Sequence, residues 1–283
     1  MLRIALQSKG RLNEESMALL HEAGIKLEWG KRLLLVPAKN FPIEVLFLRD
    51  DDIPQTVADG VADIGIVGEN EFAEKDKKVN IAKRLGFSKC RLSLAIPKSA
   101  EYVDLSWFNG KVIATSYPAI LEKYLKENNI SADIHVITGS VEIATGIGLA
   151  DAIFDIVSSG STLLTNQLKE VEVVMKSEAL LIANPNLTEE KTEILNELLF
   201  RIQSVQLAED KKYVLMNIPT ENLDKIVQVI PGMRSPTIMP LAKEGWSSLH
   251  AVISEKEFWD IIGKLKNLGA EGLLVIPIEK III

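Results

Sequence analysis

The chain has 283 residues, a formal net charge of −7, 47% hydrophobic and 25% charged residues. That length holds two or three domains, and the balance is that of a soluble globular protein. An acidic chain without a basic stripe is not a general nucleic-acid binder, although a few local Arg and Lys can still hold phosphorylated ligands.

The first residues, MLRIALQSKGRL, reach Gln7 and Lys9 too soon for a signal-peptide core, and no apolar run is long enough to span a bilayer. Cys90 is the single cysteine, so an internal disulfide and a cysteine metal cluster are excluded. The expected location is the cytoplasm, with no membrane contact. LRIAL (2–6) reads as a buried strand, followed by the loop SKGRL and a helix in NEESMALLHEAG (13–24) that Gly24 ends. RLLLVPA and IEVLFLR read as strands. DDDIPQTVADG reads as a helix, with acids at its N-terminus and Pro54 in its first turn. ADIGIVGEN (62–70) is a strand punctuated by glycines. Strands alternating with helices predict an α/β domain with a largely parallel sheet.

A second cycle begins at RLSLAIP (91–97). NGKVIATSYP (109–118) is a strand ending in a hydroxyl-rich turn, and AILEKYLKENNI is a helix. ADIHVITGS is a strand, VEIATGIGLA a glycine-punctuated helix, and DAIFDIVSSGSTL a strand, loop and helix start. VEVVMKSEALLIAN (171–184) gives two extended segments, and residues 188–210 a long amphipathic helix capped by Thr188. From Lys211 the order becomes strand, helix, strand, strand, helix, strand, which is the ferredoxin-like βαββαβ unit, its last strand in GLLVIPIEKIII. A unit of that size leaves one sheet face to cover, so it should dock or oligomerise.

Several strand-end loops carry small, hydroxylated or basic residues. Ser158, Ser159, Gly160, Ser161 and Thr162 follow a strand and open a helix, with Asp155 and Asp151 upstream. The stretch admits two readings: a serine-rich helix cap, or a cradle whose N–H groups and hydroxyls take a phosphate while the acids take ribose hydroxyls or a magnesium ion. Lys9 and Arg11 flank Gly10 in the first loop, and Arg49 follows the third strand. Gly68 and Glu69 lie in GIVGEN, Ser116 and Tyr117 in ATSYP, and Glu142 in TGSVE. A cleft between two α/β lobes would gather these loops. His21, His135 and His250 are too widely spaced for a zinc site. Catalysis by positioning and electrostatics suits this inventory better than a protein nucleophile.

In order, LRIALQSKGRL, RDDDIP, DIGIVGEN, CRLSLA, NGKVIATSYP, GSVE, GLADAI and DIVSSGSTL resemble the ATP phosphoribosyltransferases. PGMRSPTIMPLA, the Phe258–Trp259 helix and LGAEGLLVIPIEK resemble the C-terminal domain of the long, histidine-regulated form. The resemblance implies a two-lobed, periplasmic-binding-protein-like catalytic part, with lobe I at 1–92 and 180–208 and lobe II at 93–179. A ferredoxin-like (ACT-like) regulatory domain would occupy 209–283. It implies that ATP and phosphoribosyl pyrophosphate give N1-(5-phospho-β-D-ribosyl)-ATP and pyrophosphate with Mg2+, as the first step of histidine biosynthesis. A homo-oligomer, dimer or hexamer, inhibited by histidine, is also implied.

Carried over by position, Asp151, Asp155 and Ser158 to Thr162 would bind phosphoribosyl pyrophosphate, and Lys9, Arg11, Arg32 and Arg49 would be catalytic. Gly68, Glu69, Ser116, Tyr117 and Glu142 would contact the nucleotide or ribose, with Glu142 and Asp155 as metal ligands. Asn217, Ser235, Thr237 and Gly272 would form the effector region. Asn217 stands where some relatives carry an acid, Thr145 where a proline is common, and Ser159 where threonine is frequent. Two rivals are a two-lobed receptor without catalysis and a phosphoribosyltransferase with another acceptor base. The third domain counts against the first, and the absence of paired acids before the small-residue loop against the second.

Overall fold

Leu2, Ile4, Ala5 and Leu6 are fully buried in β1 (Leu2–Gln7), the central strand of the first sheet. The computed structural model describes residues 1–27, 34–230 and 235–283. After β1 come α1 (Arg11–Glu22), β2 (Leu35–Pro37), β3 (Ile43–Leu48), α2 (Ile53–Ala58), β4 (Ile64–Gly68), α3 (Glu69–Lys75) and β5 (Asn80–Arg84). β1 is parallel to β3 and β4, which fits their nearly continuous apolar runs. Gly65 lets α2 lie close on β4, because a Cβ there would stand 2.6 Å from Ile53 Cγ2. Its role is therefore helix packing rather than close approach of a ligand.

The second lobe holds β6 (Cys90–Pro97), β7 (Val112–Thr115), α4 (Pro118–Glu127), β8 (Asp133–Val136), β9 (Ala152–Val157), α5 (Ser161–Thr165) and β10 (Leu168–Ser177). Its sheet has the order β10-β6-β9-β7-β8. β7 is parallel to β8 and β9, while β6 is antiparallel to β9 and to a bulged β10. VEIATGIGLA is not the expected helix: only Val141–Ile143 forms a short 3-10 turn, and Gly148 takes φ +74°.

The chain then returns to the first sheet. β11 (Ala179–Ala183) is buried throughout and inserts antiparallel between β4 and β5, giving the order β2-β3-β1-β4-β11-β5. Two sheets joined by two crossings make the two-lobed, periplasmic-binding-protein-like architecture. Neither sheet is largely parallel, since each crossing brings in an antiparallel strand.

α6 (Glu189–Ala208) leads to β12 (Lys211–Pro219), α7 (Leu223–Val229), β13 (Thr237–Pro240), β14 (Trp246–Ser254), α8 (Glu255–Asn267) and β15 (Glu271–Pro277). The antiparallel order β13-β14-β12-β15 is ferredoxin-like. Val214, Met216, Ile218, Leu249, Ala251 and Ile253 line one face with Phe258 and Leu265 of α8. Ser254 and Glu257 close a capping box on α8. The last strand ends at Pro277, where the sequence pattern predicts extension to the C-terminus. By contact the chain divides into two compact units, Met1–Ala18 with Ile25–Asn196, and Leu19–Gly24 with Glu197–Ile283.

Candidate active site

β9 delivers the chain to Ser158 at its carboxyl end, and Gly160 turns it into α5. Gly160 caps that helix at φ +80° and ψ 1°, in the left-handed region where a side chain is strained. The first helical bond runs from Leu164 N–H to the Gly160 carbonyl at 3.1 Å, which leaves the N–H groups of Ser161 to Leu163 without an intrahelical acceptor. Ser158, Ser159, Ser161 and Thr162 are exposed. Ser159 Oγ and Ser161 Oγ lie 3.0 Å apart. The loop thus presents hydroxyls and N–H donors to solvent, a combination that suits an anion.

From the first lobe, Arg11 at the start of α1 reaches this loop. Its Nη1 donates to Ser158 Oγ at 3.3 Å, and its Nε pairs with Glu15 at 3.3 Å. Lys9 is exposed two residues earlier, beside Gly10 at φ +96°. The loop of Arg49 adjoins that of Lys9, because the Ser8 N–H donates to the Leu48 carbonyl at 2.7 Å. Arg49 is exposed and pairs with Asp51 at 3.4 Å. Arg32 lies outside the described residues.

Asp155 is half-buried on β9. Burial, reinforced by the negative charge of Glu142, pushes its carboxyl up to about 6, against a bond from the Ile156 N–H at 2.8 Å. Asp151 does not join it. It stands at the other end of β9, about 23 Å from Ser158 at strand rise. There its Oδ2 accepts from the Val112 N–H at 3.0 Å, and Lys111 lies 3.7 Å from Oδ1.

Four further predicted ligands are taken up by the protein itself. Ser116 donates to the Ile137 carbonyl at 2.7 Å and holds the turn after β8. Tyr117 is 7% exposed; its hydroxyl accepts from Asn70 Nδ2 at 3.1 Å and bonds Glu71. Burial and Glu71 raise the Tyr117 phenol, and burial with nearby Asp50 raises the Glu71 carboxyl. Asn70 also accepts from Ser177 Oγ at 2.9 Å. Glu69 is bound to Arg84, whose Nη1 donates at 2.8 Å, and Gly68 leaves room for the Asn70 side chain, which a Cβ would meet. Glu74 of α3 accepts from the N–H groups of Ala119 and Ile120 at 2.9 and 3.0 Å. These contacts clasp α3 of one lobe to α4 of the other.

Residues with no predicted role complete the site. Arg91 donates to the Ser158 carbonyl at 3.1 Å and forks onto Glu170, which Ser93 also bonds. Polar Arg91 and Ser93 in the otherwise buried strand CRLSLA were the signal in the sequence. A cavity of ≈ 590 Å³ opens beside Ser158, lined also by Arg84, Lys89, Cys90, Arg91 and Lys176. In the C-terminal unit, Gly272 sits against Asn217, with Nδ2 3.1 Å from where a Cβ would be. Ser235 and Thr237 line a cavity of ≈ 660 Å³ with Tyr213, His250 and the last three residues.

Comparison with known proteins identifies the family. The family model described as ATP phosphoribosyltransferase matches residues 49–204, and that of the HisG C-terminal domain matches residues 208–280. The chain is 72% identical over 283 residues to the ATP phosphoribosyltransferase of Phocaeicola vulgatus, covering 100% of both. The chain belongs to the ATP phosphoribosyltransferase family. It is also 71% identical over 283 residues to the enzyme of that name from Bacteroides thetaiotaomicron, again covering 100% of both. Among solved structures it is similar to the ATP phosphoribosyl transferase (HisG:HisZ) complex from Thermotoga maritima, with TM-score 0.63 and 30% identity over 72% of this chain and 96% of that one. The C-terminal match marks the long form of the family. The chain is accordingly a pentosyltransferase acting at the first step of histidine biosynthesis. Among the described residues, no helix is long and apolar enough to cross a membrane.

Proposed function

We propose that the loop Ser158–Thr162 holds the 5-phosphate of phosphoribosyl pyrophosphate, and that ATP is the acceptor in the cleft between the two lobes. The observation that carries this reading is the reach of Arg11 from one lobe to Ser158 of the other. A cation and an N–H-rich loop that meet across a cleft suit a donor carrying phosphates at both ends. Adenine N1 attacks ribose C1, the C1–O bond breaks, and its electron pair leaves with pyrophosphate. Arg11, Lys9 and Arg49 stabilise the charge that develops on the leaving group.

Asp155 and Glu142 are close enough for one to raise the other's carboxyl. Such a pair, completed by substrate phosphate oxygens, fits Mg2+, which binds through one or two carboxylates and substrate rather than a full protein cage. The ion, when bound, neutralises phosphate charge. The same two carboxylates orient the ribose hydroxyls. In the C-terminal domain, Asn217, Gly272, Ser235 and Thr237 would take histidine as feedback inhibitor. The sheet face exposing Tyr213, Leu274 and Ile276 supports a homo-oligomer, dimer or hexamer. A biosynthetic role of this kind belongs in the cytoplasm.

One assay tests these parts separately. The protein is mixed with ATP, phosphoribosyl pyrophosphate and Mg2+, and the ultraviolet absorbance of the N1-substituted adenine is followed. Absence of product overturns the assignment of substrates. Product formed without a divalent ion overturns the metal assignment, and product insensitive to histidine overturns the regulatory one.

A further inference from the structure

We propose that Arg91 is a positioning residue that sets the orientation of the phosphate loop through Glu170, an inference that rests on the reading of Ser158–Thr162 as the 5-phosphate site. Arg91 lies on β6 opposite Val157 of β9, the last residue before the loop. It belongs to the same sheet as the strand that leads into the loop. Its Nη1 donates to the Ser158 carbonyl at 3.1 Å. The rest of the guanidinium is committed: Nε donates to Glu170 Oε1 at 2.5 Å and Nη2 to Oε2 at 2.6 Å. Ser93 Oγ adds a second bond to Glu170 Oε1 at 2.6 Å. A planar fork held at both ends has one direction left for its free arm.

That arm decides which way a peptide faces. In a trans peptide the Ser158 carbonyl and the Ser159 N–H point in opposite directions. Holding the carbonyl on Arg91 therefore turns the Ser159 N–H away from β6 and keeps the carbonyl oxygen, which would repel an anion, out of the loop's mouth. Ser158 is thus gripped twice, by Arg11 on its hydroxyl and by Arg91 on its carbonyl. The two arginines differ in kind. Arg91 is neutralised by a bidentate carboxylate and acts through geometry, whereas Arg11 is exposed and can meet the ligand itself.

The test is steady-state kinetics of the full chain with each substrate varied in turn. Arg91→Lys keeps the charge and loses the fork; Glu170→Gln keeps the size and loses the bidentate acceptor. Both should raise KM for phosphoribosyl pyrophosphate about tenfold, the scale of one hydrogen bond to a charged group, and leave KM for ATP unchanged. An unchanged KM for phosphoribosyl pyrophosphate in Arg91→Lys, or equal rises for both substrates, overturns the inference. So does a rise in Arg91→Lys with none in Glu170→Gln, which would make Arg91 a direct ligand. If Arg91→Lys does not fold, Glu170→Gln carries the test alone, and an unchanged KM there overturns it. Gly160→Val separates the two levels. If that variant keeps the parent KM for phosphoribosyl pyrophosphate, the loop reading fails; if it raises KM while the Arg91 and Glu170 variants do not, only the role of Arg91 falls.

Discussion

Two turns follow the neighbouring parallel strands β7 and β9 of the second lobe. Thr115, Ser116 and Tyr117 end one strand; Ser158, Ser159, Gly160, Ser161 and Thr162 end the other. Both are rich in hydroxyls, and both precede a helix. After β7 each hydroxyl has a protein partner: Thr115 Oγ1 accepts from the Tyr117 N–H at 2.8 Å, Ser116 bonds the Ile137 carbonyl, and Tyr117 bonds Asn70 and Glu71. After β9 the side chains are exposed: Ser159 and Ser161 bond each other, and Ser158 Oγ accepts from Arg11 of the other lobe. A hydroxyl-rich turn offers itself to a ligand only where the fold has not already used its donors.

The contrast can be broken or sharpened by substitution. Removing a cation aimed at the exposed turn should have the largest effect. Arg11→Met is expected to cost about 2.7–4 kcal/mol of transition-state stabilisation, the scale of one lost oxyanion donor. It should read as a fall in kcat/KM with an almost unchanged Tm; an unaltered kcat/KM would remove Arg11 from the site.

Asp155→Asn comes next, because Asp155 is held against its own preference. Its folded carboxyl titrates at about 6, above the ordinary aspartate value. Between about pH 4 and pH 6 the folded chain keeps a proton that the unfolded chain has released, so this group lowers stability as pH rises through that window. At pH 8 the variant should be more stable than the parent by about 3 kcal/mol, and below about pH 4 the gain should vanish. Denaturant titration at the two pH values measures it, and an equal gain at both would show that the charge is not the cause. Activity should fall in either case.

The smallest effect is expected in the turn that is already satisfied. Tyr117→Phe leaves Asn70 and Glu71 short of a partner and should cost about 1 kcal/mol of stability. Neither KM should move. A raised KM for ATP with an unchanged Tm would return Tyr117 to the ligand set.

Sequence periodicity carries much of the fold. The buried run of β1, the capping of α6 and the ferredoxin-like order are all legible in it. Asn80–Arg84 was not, because NIAKR is polar and lies at the sheet edge, where little burial shapes its pattern. VEIATGIGLA imitates a helix in its apolar spacing, yet its glycines let the chain turn instead. In the site, the small residues around Gly160 are legible because a left-handed cap demands glycine. Asp151 misleads because it stands only four positions before Asp155 in sequence, while the strand between them carries it away from the loop. Arg91 and Glu170 are hidden for a different reason. They lie 79 residues apart, and their meeting depends on the bulged register of β6 and β10, which no local pattern encodes.

The position of β11 has a consequence for how the chain is made. β4 and β5 precede it by about a hundred residues, yet β4 lacks its second neighbour, and β5 the strand that joins it to the sheet, until Ala179–Ala183 arrives. A ribosome will therefore have released the whole second lobe before the first sheet can close. During that interval the edge of β4, with Ile64, Ile66 and Val67, stands open to pairing with other chains. Nascent chains stalled short of Ala179 are the form of this enzyme most exposed to aggregation, and the form that a chaperone would have most reason to hold.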